Sequence, residues 1–365
     1  MLSDTNLVMP SIRYRLFFPL KELNSIEPDY QFEVLSFYSE STTWWMGKAN
    51  NFLKVYSFFR DLLVFLWRIL CHRKKYDIII VKNYLVPLFG DTIEKILFSV
   101  FTCKKLFYDI DDGIYLNSTR KENRLFARFR LSSVKVGYWA RNADIVIACN
   151  NILAADMTQK YSLPVSRFRV VTTYPYRAQY FENTDEIEAC KKSDKVTFIW
   201  LGSSHTQTYL YLCKEFIQQI NAAIDNAEFI LIGTDENFHD LDGIANVRKV
   251  KWSLEEEVKY MRLAHFGLNP LRDSEFERRK CAFKVIQYYR AGIVPLASAV
   301  GFNKDLINKF GGYYTDDFSG DSGLVKYVLN RLKLGMARQA NHLYDDTKCL
   351  SIENNAKTLR RLMNE

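Results

Sequence analysis

Short apolar runs alternate with longer segments of helical length along most of the chain. The clearest runs are YDIIIV at 76–81, KLFYDI at 105–110, ADIVIA at 143–148, VTFIWL at 196–201 and EFILI at 228–232. Such short, almost continuously apolar runs are typical of strands that are buried on both faces of a parallel sheet. The strand–helix alternation therefore predicts an α/β fold with doubly wound parallel sheets.

A polar stretch at 182–195 (ENTDEIEACKKSDK) separates two series of this alternation. We predict an N-terminal Rossmann-like domain over 1–180, a linker at 181–195 and a second Rossmann-like domain over 196–345. A helix is expected within 346–365, with the N-terminal domain as its expected packing partner. The 365 residues suffice for two domains of ordinary size.

The chain is moderately basic, with a formal net charge of +8. We find no nucleic-acid-binding motif, so we expect phosphorylated substrates or an anionic membrane surface as partners and no nucleic acid. The seven cysteines lack CxxC spacing, which argues against a zinc site and favours reduced thiols in a cytoplasmic protein. We expect no signal peptide and no membrane-spanning helix.

The strongest chemical signal is the segment 269–303 (NPLRDSEFERRKCAFKVIQYYRAGIVPLASAVGFN). It runs from a strand end through a charged loop into a predicted helix at 280–290. Lys280 and Lys284 would lie one turn apart on that helix, near its N-terminus, where free N–H groups favour a phosphate. By charge alone, a surface helix with solvated lysines would be the favoured interpretation.

This segment resembles the donor-binding segment of GT-B-fold glycosyltransferases, in particular the family 4 type of bacterial polysaccharide biosynthesis. The resemblance rests on spaced residues across three elements: Lys280, Phe283, Lys284, Gln287, Tyr288, Gly292, Ala297, Ser298, Val300, Gly301 and Asn303. It implies two Rossmann-like domains that face a cleft, with the acceptor bound by the first domain and a nucleotide sugar by the second. Arg279 and Gln287 stand where most members carry two glutamates.

A second candidate donor contact is the Gly/Ser turn after the strand at 196–201, although an ordinary strand–helix turn has the same composition. With the resemblance, it gives these predicted donor-binding residues: Gly202, Ser203, His205, Lys280, Phe283, Lys284, Gln287, Ser298, Val300 and Gly301. We expect Lys280, together with Lys284, to stabilise the departing diphosphate, so that no metal is needed. The resemblance implies that the sugar is transferred with retention at the anomeric carbon.

Carboxylates cluster at 109–112 (DIDD), at the end of a predicted buried strand, where α/β proteins place their ligands. We predict Asp111 and Asp112, with Lys280, as catalytic residues, and Asp109 on the acceptor side. Arg13 and Arg15 are also predicted on the acceptor side, because they resemble a Ser-x-Arg-x-Arg turn that related enzymes have after the first strand; a solvated helix face is the alternative for these two. Two alternatives stay open for this cluster. It can serve a turn and a helix cap, or Asp109-x-Asp111 can hold a metal as in GT-A glycosyltransferases.

The segment 51–75 (NFLKVYSFFRDLLVFLWRILCHRKK) is an apolar helix that ends in a basic cluster, His72 to Lys75. We interpret most of it as a core helix, with membrane contact confined to an exposed edge.

The sequence thus predicts a hexosyltransferase-type glycosyltransferase that moves a sugar from a nucleotide sugar to a glycan or lipid-linked acceptor in cell-surface polysaccharide synthesis. The nucleotide sugar is a co-substrate, and no cofactor is expected. The expected location is the cytoplasm, at the inner face of the cell membrane where the acceptor is lipid-linked. The alternatives are a metal-dependent GT-A enzyme and a non-catalytic, glycosyltransferase-like partner subunit.

Overall fold

The computed structural model describes the chain except for residues 8, 29, 46–50, 73, 117–130, 177–179, 182 and 320. The chain divides into two compact units. Unit 1 contains Met1–Thr173, Arg279–Cys281 and Ile352–Glu365, and unit 2 contains Tyr174–Arg278 and Ala282–Ser351.

The sheet of unit 1 has six parallel strands in the order β2-β1-β3-β4-β5-β6. They are β1 (Leu2–Ser3), β2 (Leu35–Ser36), β3 (Lys75–Lys82), β4 (Thr102–Ile110), β5 (Ile145–Ala148) and β6 (Phe168–Val170). The sequence also predicts a first strand at 6–9, but β1 comes earlier, at Leu2–Ser3. Asn6 lies after this strand and outside the sheet. Its side-chain amide donates to Tyr38 O and Thr43 Oγ1, in the region after β2.

The sheet of unit 2 also has six parallel strands, in the order β12-β11-β10-β7-β8-β9. They are β7 (Val196–Leu201), β8 (Ala227–Ile232), β9 (Val247–Val250), β10 (Phe266–Asn269), β11 (Val294–Ser298) and β12 (Tyr313–Thr315). The Phe198 ring stacks on Phe229 and Phe266, with centroid distances of 4.6 and 5.1 Å, and this ties three neighbouring strands together.

The α-helices connect these strands and continue to the chain end. In order they are α1 (Pro10–Ile12), α2 (Phe18–Ile26), α3 (Glu40–Trp45), α4 (Asn51–Cys71), α5 (Asp91–Phe98), α6 (Ser132–Asn142), α7 (Asn151–Tyr161), α8 (Thr184–Lys191), α9 (Lys214–Ala223), α10 (Leu254–Leu263), α11 (Phe283–Arg290), α12 (Phe302–Phe310), α13 (Ser322–Lys333), α14 (Met336–Asp346) and α15 (Ile352–Asn364). A π-helix, Arg13–Phe17, joins α1 to α2. The sequence also predicts a helix at 123–142; residues 123–130 lie outside the described residues, and α6 covers 132–142.

Two helices refine the expected domain organisation. Helix α8 lies in the segment expected to be a linker; Asn183 caps it by accepting a hydrogen bond from Glu186 N, and Ile187 is fully buried in unit 2. Helix α15 packs within unit 1, where Leu359 and Leu362 share an apolar cluster with Leu16 and Leu20.

Helix α4 differs from the core helix that we expected. Only one side of it is buried, through Phe58, Phe65 and Ile69, while most of its other large apolar side chains are exposed. Among the described residues no helix is both long and apolar enough to cross a bilayer.

Candidate functional site

Charged side chains of both signs are buried at the carboxyl ends of β3 and β4 in unit 1. Lys82 ends β3 and is paired in register with Asp109 of β4. Its ammonium group is 3.2 Å from Asp109 Oδ1 and forms an ion pair with Asp111 just beyond the strand. Lys82 is fully buried, so its positive charge is compensated by these two carboxylates.

Arg15 extends this network from the π-helix. Its Nε donates to Asp109 Oδ1 at 2.8 Å, and its Nη1 donates to Val171 O at 2.6 Å and Thr173 Oγ1 at 3.2 Å. Arg15 and Asp109 are both about 1% exposed. The expectation that these two side chains face an acceptor therefore needs correction: both are buried, and they pair with each other inside unit 1.

The network keeps Asp111 ionised. Burial opposes the charged form of Asp111, but Lys82 and then Arg15 outweigh burial and hold its pKa below the usual value. For Lys82, burial favours the neutral amine, and Asp111 and Asp109 outweigh it and raise the pKa. A carboxylate with a low pKa is a weak general base, so Asp111 suits orientation and charge stabilisation better than proton abstraction. Asp112, the next residue, is half-buried.

Asp4 is a candidate base that the sequence analysis missed. It follows β1, where burial raises its pKa to about 7 against the opposing effects of Lys135 and Lys82. Its Oδ1 is buried and accepts no hydrogen bond from the described residues. A pKa near neutrality suits proton transfer. The sequence did not indicate Asp4 as a site residue, because the first strand was predicted four residues too late and Asp4 then preceded it.

The segment Arg279–Cys281 is held by unit 1. The Asn150 side chain caps α7 by accepting from Leu153 N at 2.8 Å, and its amide donates to Lys280 O at 2.9 Å. The Arg279 guanidinium pairs with Asp156, which also accepts from the Tyr115 hydroxyl. Lys280 is thus positioned through its main chain, and Arg279 makes a structural ion pair.

Helix α11 begins at Phe283, three residues after the expected start. Ala282 precedes it in the left-handed region, with φ of 53°, so the chain turns there. Lys280 therefore lies before the helix and in unit 1, whereas Lys284 lies on the helix in unit 2. The prediction that the two lysines share one helix face is wrong.

The Gly202 turn, by contrast, lies beside Lys284. The Lys284 ammonium group is 4.7 Å from the Trp200 ring centroid, and a Cβ on Gly202 would come within 2.3 Å of that ring. Thr206 Oγ1 accepts from Ser203 N at 3.1 Å and fixes the turn. Ser203 and His205 are exposed on it.

An exposed aromatic residue near this turn was also missed. Trp252 follows β9, and the Cβ of a side chain at Gly233 would lie 3.7 Å from Trp252 Cβ and 2.2 Å from Gly202 O. The Trp252 indole donates to Glu257 Oε2 at 2.7 Å and is 41% exposed. The carboxyl ends of β7, β8 and β9 thus bring a glycine-lined turn, a lysine and an indole ring together.

Gln287 is buried away from this surface. Its amide donates to the Tyr180 hydroxyl at 3.1 Å, and that hydroxyl donates to Glu257 Oε1 at 2.8 Å. Gln287 is about 5% exposed. It is therefore part of an internal hydrogen-bond chain that ends at Trp252, and it orients that ring through Glu257.

The remaining candidates lie near the end of β11 or on the helices. Ser298 Oγ accepts from Leu271 N at 2.8 Å, and Val300 is buried. Gly301 has φ of 55°, and a Cβ there would lie 2.2 Å from Arg278 O, so only glycine fits. Phe283 and Arg13 are half-buried.

In the part of the chain that the structure describes, no group of three or more His, Cys, Asp or Glu side chains could hold a metal ion. The Asp109 and Asp111 carboxylates are instead neutralised by two buried cations, Arg15 and Lys82.

No family model matches the sequence, and no curated protein matches it. Solved structures do resemble it. HepE from Anabaena, solved with UDP, is 11% identical, with 100% of this chain and 98% of HepE covered and a TM-score of 0.67. Sucrose-phosphate synthase from Thermosynechococcus elongatus is 15% identical, with coverage of 84% and 78% and a TM-score of 0.59. Starch synthase IV from Arabidopsis thaliana is 14% identical, with coverage of 82% and 74% and a TM-score of 0.55.

The chain has the GT-B fold. These neighbours are GT-B glycosyltransferases, and the two six-stranded parallel sheets correspond to their two Rossmann-like domains. The fold class predicted from the sequence is therefore confirmed. In the GT-B fold, as in other open parallel sheets, ligands bind beyond the carboxyl ends of the strands, where the side chains described above lie.

Proposed function

We propose that the protein is a glycosyltransferase that moves a sugar from a nucleotide sugar to a glycan or lipid-linked acceptor in cell-surface polysaccharide synthesis. The observation that carries this proposal is the similarity to HepE over the whole chain, since HepE structures contain UDP and UDP-glucose. Starch synthase IV, a shorter match, was solved with ADP and acarbose. The proposal places the chain in the cytoplasm, at the inner face of the cell membrane when the acceptor is lipid-linked.

The donor would bind at the carboxyl ends of β7, β8 and β9. The Gly202 turn offers main-chain N–H groups for a phosphate, with Ser203 and His205 exposed on it. Lys284, over the Trp200 ring beside the turn, supplies a positive charge. Trp252 is exposed enough to stack on a nucleobase. These contacts account for recognition of a nucleoside diphosphate.

The chemical step would need no metal, because Lys280 and Lys284 supply the positive charge that stabilises the departing diphosphate. Asp111, kept ionised by Lys82, would stabilise positive charge at the reacting sugar, and Asp112 would orient the acceptor hydroxyl. Retention at the anomeric carbon is part of the proposal through the resemblance to family 4. The GT-A alternative is less favoured because Arg15 and Lys82 already neutralise the Asp109 and Asp111 carboxylates.

One observation favours the non-catalytic alternative. The two positions of the usual glutamate pair are both engaged inside the protein, Arg279 with Asp156 and Gln287 with Tyr180. A chain without that pair can retain the fold and serve as a partner subunit.

A thermal-shift screen tests the proposal. The wild type, Lys280→Ala and Lys284→Gln are each melted with UDP, GDP, ADP or CMP, with and without EDTA, and Lys326→Ala, an exposed lysine on α13, is the matched control. We expect one nucleoside diphosphate to raise the melting temperature of the wild type and control in EDTA, and both site variants to lose most of that shift. Absence of any shift would favour the partner subunit, and a shift that EDTA abolishes would favour a metal-dependent enzyme.

A further inference from the structure

Helix α4 presents a broad apolar face on the surface of unit 1. Six side chains on this face are exposed by 54–78%: Phe52, Tyr56, Phe59, Leu63, Trp67 and Leu70. Their spacing of three or four residues aligns them along one side of the helix over about 27 Å. Nine of the 23 exposed large apolar side chains among the described residues lie on this one helix, so the face is a contiguous patch and not scattered exposure.

The opposite side of α4 fixes this orientation. Phe58, Phe65 and Ile69 pack in the core of unit 1. Asp61 is about 2% exposed, accepts from Ser39 N at 3.1 Å and pairs with Arg60 at 2.7 Å. The only acidic group of the helix thus points inward, whereas the outward side is apolar, which is the reverse of an ordinary surface helix.

The charge around the face is positive. The segment 51–75 contains six Lys or Arg residues and one acidic residue, the inward-facing Asp61. Lys74 and Lys75, just after the helix, are both exposed. A second copy of the same face would bring like charges together, whereas an anionic surface would be attracted to it. The apolar face also contains Tyr56 and Trp67, and these two residue types favour the boundary between water and lipid.

We propose that this face docks on an anionic lipid bilayer, with α4 lying in the plane of the interface. The aromatic and leucine side chains would enter the boundary between headgroups and acyl chains, and the basic residues after the helix would contact anionic headgroups. This inference deepens the proposed membrane location by naming the surface that makes the contact. It rests on the proposed function only for its biological purpose, because lipid binding needs no sugar donor.

Vesicle flotation of the full chain tests the docking face. Wild type, the double variant Leu63→Glu/Trp67→Glu and the matched control Leu254→Glu/Leu334→Glu are mixed with vesicles of phosphatidylcholine alone or with phosphatidylglycerol. The control residues are 58% and 67% exposed in unit 2, so all four changes are on exposed positions. We expect wild type and control to float with the anionic vesicles, and the α4 variant to bind them at least about tenfold more weakly because it loses apolar contact and gains negative charge.

Each other outcome overturns the inference. If the wild type does not float, or the α4 variant floats as well as the control, the face does not bind lipid. Equal binding to neutral vesicles would exclude the anionic partner. A wild-type dimer that the α4 variant dissociates, without vesicle binding, would assign the face to a second copy. The nucleotide thermal shift of all three proteins, measured without vesicles, separates a failure of this inference from a failure of the proposed transferase.

Discussion

Lys82 shows most directly how a single residue maintains the candidate site. The side chain is fully buried between Asp109 and Asp111, and together with Arg15 it balances their charges. We expect Lys82→Met to destabilise unit 1 by about 3–5 kcal/mol, because it leaves buried carboxylates with too little positive charge. The measurement is the free energy of unfolding in urea.

The control for this prediction is the same substitution at an exposed ion pair. Lys104 is 2.6 Å from Asp77, and both side chains are 80% exposed. Lys104→Met should leave the free energy of unfolding almost unchanged, because water screens an exposed ion pair. If Lys82→Met were equally mild, Asp111 would not depend on Lys82 for its charge.

At this scale, the sequence predicted the position of the carboxylate cluster better than the contacts that its members make. A carboxylate cluster at the end of an apolar strand predicts a site, and Asp111 and Asp112 do follow β4. The pattern does not encode which charged groups pair. Lys82 ends the apolar run of β3 like an ordinary solvated strand end, and only the register with Asp109 shows its role. Arg15 is likewise predicted on the acceptor side or on a solvated helix face, because the local sequence contains no sign of Val171, its distant partner.

Helices α8 and α10 are joined by a buried lysine. Lys191 ends α8, and its ammonium group donates to Met261 O at 3.1 Å and to Ala264 O at the end of α10. Burial lowers the pKa of Lys191 from 10.5 to about 7. Between pH 7 and 10.5 the unfolded chain therefore binds more protons than the folded one, so the stability of the fold decreases as the pH falls from 10.5 to 7.

Lys191→Met should reveal this dependence in unit 2. At pH 9 we expect the variant to be about 1–3 kcal/mol less stable than the wild type, because two main-chain carbonyls lose a donor. The difference should shrink at pH 6, where the wild type must protonate a buried amine. Unfolding in urea at both pH values is the measurement, and Lys192→Met, an exposed lysine in a surface ion pair, is the control. A difference that is independent of pH would contradict the assigned pKa.

Strands with a continuous apolar run could be predicted from the sequence, whereas a helix start that depends on the backbone conformation of one residue could not. The apolar runs at 76–81 and 196–201 coincide closely with β3 and β7. Helix α11 starts later than its periodicity suggests, because Ala282 takes a left-handed conformation that alanine rarely adopts. Helix α4 is apolar nearly all round, so periodicity could not tell which side faces the core.

At the scale of the whole molecule, the two units do not follow the order of the chain, because unit 1 includes the C-terminal helix. Helix α15 follows all of unit 2 in the sequence but belongs to unit 1, where Leu359 is about 1% exposed beside Leu16 and Leu20. We expect Leu359→Ala to destabilise unit 1 by about 2–5 kcal/mol through lost burial and a cavity. Leu334→Ala, at a 67% exposed position in unit 2, should have little effect.

Calorimetry with and without the stabilising nucleotide can assign this loss to a unit. If the donor binds unit 2, the nucleotide should raise the melting of unit 2 equally in wild type and Leu359→Ala, while the variant lowers the melting of unit 1. A single transition that shifts as a whole would mean that the units unfold together, because two-state behaviour would then extend over both. Unchanged melting of unit 1 in Leu359→Ala would show that the packing of α15 contributes little to the stability of unit 1, contrary to the burial of Leu359 beside Leu16 and Leu20.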